Sequence, residues 1–297
     1  MRVPETDRTQ KKATFFALLA AVLYAVNTPV SKLLLREVPA TVMAALLYLG
    51  AGTGVFVMSA ARRLTGKAAA ELRLTRRELP YTVGMVVLDI AAPMFLMAGL
   101  ARTTAANASL LNNFEIVATA ITAMVVFRET ISKRLWLAIV LVTASSLLLS
   151  FEDMSSLSFS WGSILVLLAC VCWGFENNCT RRLSSKDPLE IVVIKGFGSG
   201  LGALVIALAL GERLPGALLC LCVLVLGFAA YGLSITCYIR AQRYLGAAKT
   251  STYYAAAPFV GAGLSMLIFR EAPGPTYLAA LAIMLAGTYF AATDGER

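Results

Sequence analysis

Four ionisable side chains stand inside otherwise apolar stretches: Asp89, Glu115, Glu176 and Lys195. A charge at the centre of a lipid-spanning helix costs roughly 2.5–3.5 kcal/mol on insertion scales, so such a residue defaults to a functional role. Each carboxylate is a candidate contact for a substrate's amino group or a candidate proton carrier. The sequence contains no histidine, the side chain most used for proton chemistry near neutrality and for holding zinc. Proton transfer would therefore fall to Glu115, Glu176 and Asp89, and no metal or cofactor is expected. Lys195 stands only six residues into its apolar stretch, close enough for its long stem to carry the amine out to the interface.

The carboxylates have polar and aromatic company. Glu115 shares a helix face with Asn112, Thr119 and Thr122, and Glu176 falls in a set Trp173, Glu176, Asn177, Thr180. That set has the spacing i, i+3, i+4, i+7 of one helix face, as does Tyr24, Asn27, Thr28, Ser31. Tyr24, Phe95, Trp173, Tyr231, Tyr238, Tyr253 and Tyr254 add rings, several far from where an interfacial aromatic belt would lie. Flat faces with a few amides and carboxylates suit a small zwitterion or an apolar-bodied metabolite, although rings at this spacing also simply fill helix interfaces. Cys170, Cys172, Cys179, Cys220, Cys222 and Cys237 lie in or beside apolar segments. In each C-x-C pair the sulfurs point about 200° apart on a helix, so small buried hydrophobes are expected rather than a disulfide or metal site.

The elements that must position these groups follow from composition. Of 297 residues, 59% are hydrophobic and 14% charged, with mean hydropathy +0.76. Soluble domains carry about 45–50% apolar and about 25% charged residues, which excludes an ordinary soluble fold, a disordered chain and a secreted disulfide scaffold. The net charge of +9 is dispersed in short clusters between apolar runs, unlike the basic face of a nucleic-acid binder. Stretches of about 20 apolar residues, the length that crosses a bilayer, number ten: 13–35, 40–61, 80–100, 104–127, 135–151, 161–180, 189–210, 217–239, 248–269 and 275–292. The first is too long for a cleaved signal peptide and contains Asn27 and Pro29. With the amino terminus cytoplasmic, twenty lysines and arginines fall on the inner side and five on the outer. The positive-inside rule thus places both termini in the cytoplasm, in a multi-pass protein of the cytoplasmic membrane.

The chain also compares with itself. Leu18-Leu19-Ala20 precedes the polar face of span 1, and Leu167-Leu168-Ala169 precedes that of span 6. Val126-Phe127-Arg128-Glu129 closes span 4 as Ile268-Phe269-Arg270-Glu271 closes span 9. Five spans per half is an odd number, so the second half enters the membrane from the opposite side. The expected fold is an all-α integral membrane protein of ten transmembrane helices. Two inverted-topology repeats, 1–151 and 152–297, would surround a central cavity, an arrangement characteristic of secondary transporters. Pro29, Pro93 and Pro258 are expected to kink spans 1, 3 and 9. Gly50, Gly52, Gly54, Gly198, Gly202, Gly261 and Gly263 should permit close helix contact.

In these features the chain resembles the drug/metabolite transporter superfamily, and within it the EamA-type ten-helix exporters, over essentially its whole length. By overall similarity, not by any diagnostic motif, it is nearest the aromatic amino-acid exporter branch called YddG. The resemblance implies spans 1, 3, 4, 6, 8 and 9 around the cavity, with spans 5 and 10 peripheral. It also implies a small-molecule substrate, an amino acid or similar metabolite, with the lipid bilayer as the other partner and a monomer sufficient for a pathway. A broader drug or nucleoside-like exporter is the alternative substrate class. No phosphate-binding glycine loop and no H-E-x-x-H, G-x-S-x-G or paired-aspartate cluster points to an ATP-driven pump or a membrane enzyme.

Overall fold

Long apolar segments in lipid must satisfy their backbone internally, and helices do so within one segment. A computed structural model describes residues 7–64, 72–128, 130–153, 158–183, 186–245 and 253–293. Among the described residues, nine helices are long and apolar enough to cross a membrane, and a tenth, Ala257–Phe269, is apolar but shorter. All ten expected spans therefore have a helix. Span 9 is described from Tyr253 onward, so its expected first residues, 248–252, lie outside the described part. One departure from an all-helical chain is a two-stranded antiparallel ribbon, Phe151–Asp153 with Ser158–Phe159, between spans 5 and 6. The surface is that of a lipid-facing bundle: Trp161, Leu218, Leu267, Val125 and Val205 are exposed, while the main core holds Leu47, Leu96, Met97, Leu111 and Trp173.

Four spans, 1, 4, 8 and 9, are interrupted where function was expected. Span 1 breaks at Val26, between helices Asp7–Ala25 and Asn27–Leu34. Pro29 lies in the first turn of the second piece and supplies no N–H, which fits a break just before it. Span 4 is two helices, Ala105–Leu111 and Phe114–Phe127, with Asn112 and Asn113 at the junction. Span 8 runs from helix Ala217–Gly227 through a π-helical segment, Phe228–Leu233, into helix Ser234–Leu245. Pro258 behaves as Pro29 does: span 9 is broken by a turn at Ala255 and Ala256, and Pro258 sits in the first turn of the helix Ala257–Phe269 that follows, where its missing N–H costs nothing. Pro93 departs from expectation, since it interrupts no helix in Leu79–Leu100, but it leaves the Asp89 carbonyl without its usual i+4 donor.

Span 3 packs on span 6 and span 1 on span 8; spans 2 and 7 pack on each other, as do spans 5 and 10. Spans 2 and 7 meet almost backbone to backbone. A Cβ on Gly196 would lie 2.4 Å from Gly52 Cα, and one on Gly50 would lie 2.1 Å from the Leu224 carbonyl oxygen in span 8. Gly263, grouped with these in the sequence, has nothing within 4 Å of such a Cβ and mediates no close contact. Spans 5 and 10 are joined where Ser145 Oγ donates to the Ala280 carbonyl at 2.6 Å. Arg128 and Arg270, which follow spans 4 and 9, are the two non-glycine residues with positive φ, 55° and 53°, among the described residues. Glu129 lies outside the described residues, as does the side chain of Phe127.

Candidate functional site

Span 7 contributes the group that organises the centre. Lys195 Nζ lies 3.2 Å from Asp89 Oδ2 in span 3 and 3.0 Å from Glu176 Oε1 in span 6. The expectation that this lysine extends to the interface is therefore overturned. Seven residues into helix Pro188–Ala209 it stands about 10 Å below the helix start at 1.5 Å per residue. Two carboxylates hold it there, one of them with its side chain fully out of contact with solvent. An ion pair in hydrocarbon gains far more from a nearby opposite charge than it would in water, which outweighs the reach to the interface.

Each carboxylate has further partners. Tyr48 Oη in span 2 donates to Asp89 Oδ1 at 2.9 Å. The Thr180 hydroxyl donates to Glu176 Oε1 one turn further along span 6. Glu115 forms a second node: Asn177 Nδ2 donates to its Oε1 at 2.6 Å and to Thr119 Oγ1 at 3.2 Å. The neighbouring Asn178 donates to the Thr119 carbonyl at 3.1 Å, fastening span 6 to span 4 beside it. Glu115 is within Coulombic reach of both Glu176 and Lys195. Three acids and one base from spans 3, 4, 6 and 7 thus form one polar centre.

Tyrosines cover it. Tyr231, in the π-helical segment, lies 5.2 Å from Tyr48 and 5.9 Å from Tyr24 between ring centroids. Tyr254 lies 5.7 Å from Tyr24 and 5.0 Å from Tyr238. Next to the break in span 1, Asn27 Nδ2 donates to Tyr231 Oη at 3.2 Å, and Asn27 Oδ1 accepts from Ser31 Oγ at 3.1 Å. A π-helical turn re-aims a side chain that a regular helix would direct elsewhere, and such turns recur at functional sites. Here it delivers Tyr231 to span 1 and span 2 together.

Of the residues expected along a pathway, the structure therefore brings together Tyr24, Asn27, Asp89, Glu115, Glu176, Asn177, Tyr231, Tyr238 and Tyr254. Trp173 is buried in the main core. Phe95 is half-buried at the edge of that core. Asn112 is buried with its Oδ1 unpartnered, at the junction in span 4. Tyr253 is half-buried, and its backbone carbonyl accepts the Ala256 N–H. The rings expected to line the cavity lie 5.0–5.9 Å from one another, centroid to centroid. Sequence reasoning missed Tyr48. Its signal was a tyrosine in the middle of span 2, away from either interface and among the glycines that bring span 7 close.

At the opposite end of the bundle from the Glu78–Lys186 pair, Lys32 Nζ donates to the Leu100 and Thr103 carbonyls at 2.5 and 2.7 Å. It closes the end of span 3 beside a recess of about 500 Å³ that Arg102, Asn107 and Glu271 also line.

Asn177 offers a local test. Asn177→Leu removes the amide that holds Glu115 and leaves a carboxylate oxygen unpaired in the bundle. Leaving such a group unpaired costs about 1–3 kcal/mol or more, and chemical denaturation of the purified protein should show that loss. Unchanged stability would mean Glu115 finds another donor.

Among the described residues, nine helices of bilayer length, with ion-paired residues inside three of them, define a multi-pass membrane protein. Comparison with known proteins agrees. The chain matches the EamA-like transporter family twice, over residues 11–151 and again over 160–293, and it belongs to that family. A protein of Methanothermobacter thermautotrophicus described as an uncharacterized transporter is 27% identical over 281 residues, covering 86% of this chain and 78% of the relative. A crystal structure with 18% identity superposes with a TM-score of 0.65 over 94% of this chain and 95% of the other, a likeness of fold.

Proposed function

We propose that the protein is a secondary transporter that exports amino acids, aromatic ones included, across the cytoplasmic membrane by alternating access. The observation that carries this reading is the Asp89–Lys195–Glu176 cluster beneath its tyrosine cover, since charged groups are kept within a bilayer at a cost and mark substrate or ion pathways. Charged groups for the ends of a zwitterion lie next to aromatic faces for its side chain. Residues 1–151 and 152–297 are the two inverted repeats of the carrier. Support comes from the packing, in which span 3 on 6 exchanges with span 8 on 1, and from the matching left-handed caps at Arg128 and Arg270. Both termini are cytoplasmic in this reading, and one chain suffices for the pathway.

Proteoliposomes loaded with labelled phenylalanine or threonine test the substrate class through competition by amino acids and by cationic drugs. Inhibition by amino acids alone supports the reading. Inhibition by drugs alone favours a broader exporter, which the two acids among aromatic rings would also suit. If Glu115 or Glu176 carries protons, Glu→Gln at that position abolishes flux driven by a pH gradient and spares substrate exchange. Survival of both processes in both variants would make the protein a facilitator.

A further inference from the structure

The acids at the centre outnumber the base that pairs with them. Asp89 and Glu176 come from different helices, and the Lys195 amine fits between them at 3.2 and 3.0 Å. Lysine is a compact point charge on a flexible four-carbon stem, and this side chain keeps 13% of its surface accessible where both acids have almost none. With both acids ionised the trio retains one net negative charge and attracts a further cation. Tyr48 and Tyr231, with rings 5.2 Å apart, stand beside Asp89, and ring faces stabilise a desolvated ammonium group. The lysine therefore occupies a place that any primary ammonium of similar size would fill.

We propose that the Asp89–Glu176 pair is the seat for a primary ammonium group on the transported molecule, and that Lys195 is a tethered cation which fills that seat when substrate is absent. This rests on the transporter reading above and narrows the substrate to a molecule bearing such a group. Arrival of the substrate ammonium displaces the lysine. A substrate carboxylate, when there is one, then has the freed Lys195 as its partner, so an amino acid leaves no additional charge unpaired. Between substrates the lysine holds spans 3, 6 and 7 together.

The test uses chemical rescue. Lys195→Ala deletes three methylenes and the amine, which n-propylammonium replaces atom for atom. In the purified full-length variant, propylammonium should raise the apparent Tm saturably, by about 3 °C or more, because a ligand that binds only the folded state stabilises it. The neutral 1-propanol should not, nor should propylammonium act on wild type or on Lys195→Ala combined with Asp89→Asn and Glu176→Gln. No rise beyond that given by propanol overturns the proposal. Should Lys195→Ala fail to fold, Lys195→Gln, neutral and similar in length, provides a second measurement. It should bind phenylalanine amide at least about tenfold more tightly than wild type, because no tethered competitor remains, with 3-phenylpropionate unaffected. Equal or weaker binding of the amide overturns the proposal. Neither readout requires transport, so absence of amino-acid flux would count against the export reading and leave this result standing by itself.

Discussion

Lys195→Met is expected to lower the unfolding free energy by about 3–5 kcal/mol, the usual loss when one partner is taken from a buried ion pair. The reason is charge, not packing. Methionine occupies nearly the volume of the lysine stem, but Asp89 and Glu176 then face each other with no cation between them. If charge is the cause, adding Asp89→Asn should restore most of the loss, because the double variant returns the cluster to one net negative charge. Denaturation of both variants in the same detergent decides it. A double variant less stable than Lys195→Met would show that shape or hydrogen bonding, and not charge balance, sets the cost.

The second large effect is expected one residue away. In Gly196→Ala the new methyl would sit 2.4 Å from Gly52 Cα and 2.9 Å from the Tyr48 carbonyl oxygen. Both obstacles are backbone, which cannot rotate aside, so spans 2 and 7 must separate. Overpacking of this kind costs about 1–3 kcal/mol. It also moves Lys195 and Tyr48, which approach Asp89 from either side of the contact. Gly263→Ala is the matched control: with open space around its Cβ it should change stability by less than about 0.5 kcal/mol. Equal effects from the two substitutions would mean that general helix propensity, not the close approach of spans 2 and 7, is being measured.

The ten spans were legible because hydropathy over a bilayer's thickness is a local property of sequence. Polar faces at i, i+3, i+4, i+7 were legible for the same reason, and they singled out Tyr24, Asn27, Glu176 and Asn177, whose side chains pack toward the bundle interior. Partnership was not legible. Lys195 read as an interfacial lysine because its distance from the start of its span is written in the sequence, while the acids that hold it belong to two other helices. Tyr48 escaped notice because it makes its bond to Asp89 across the tight contact of spans 2 and 7, which glycines permit but do not announce. The π-helical segment around Tyr231 carries no proline within Phe228–Leu233, and its one glycine, Gly232, does not by itself announce a π turn. Its cause is tertiary: Gly227 lies against the Leu47 carbonyl and Gly232 against Val55 of span 2. The prolines were all visible, yet only Pro29 and Pro258 accompany an interruption inside their own spans.

In the proposed pathway, substrate passes through the polar centre where spans 1, 2, 3, 4, 6, 7, 8 and 9 converge. Efflux of labelled phenylalanine from proteoliposomes, measured for wild type, Glu176→Gln and Tyr231→Ala at equal amounts of folded protein, tests it most directly. Protein-dependent efflux by wild type is expected to fall at least about tenfold in both variants. Wild-type efflux that both variants retain in full would place the pathway elsewhere and contradict the proposal.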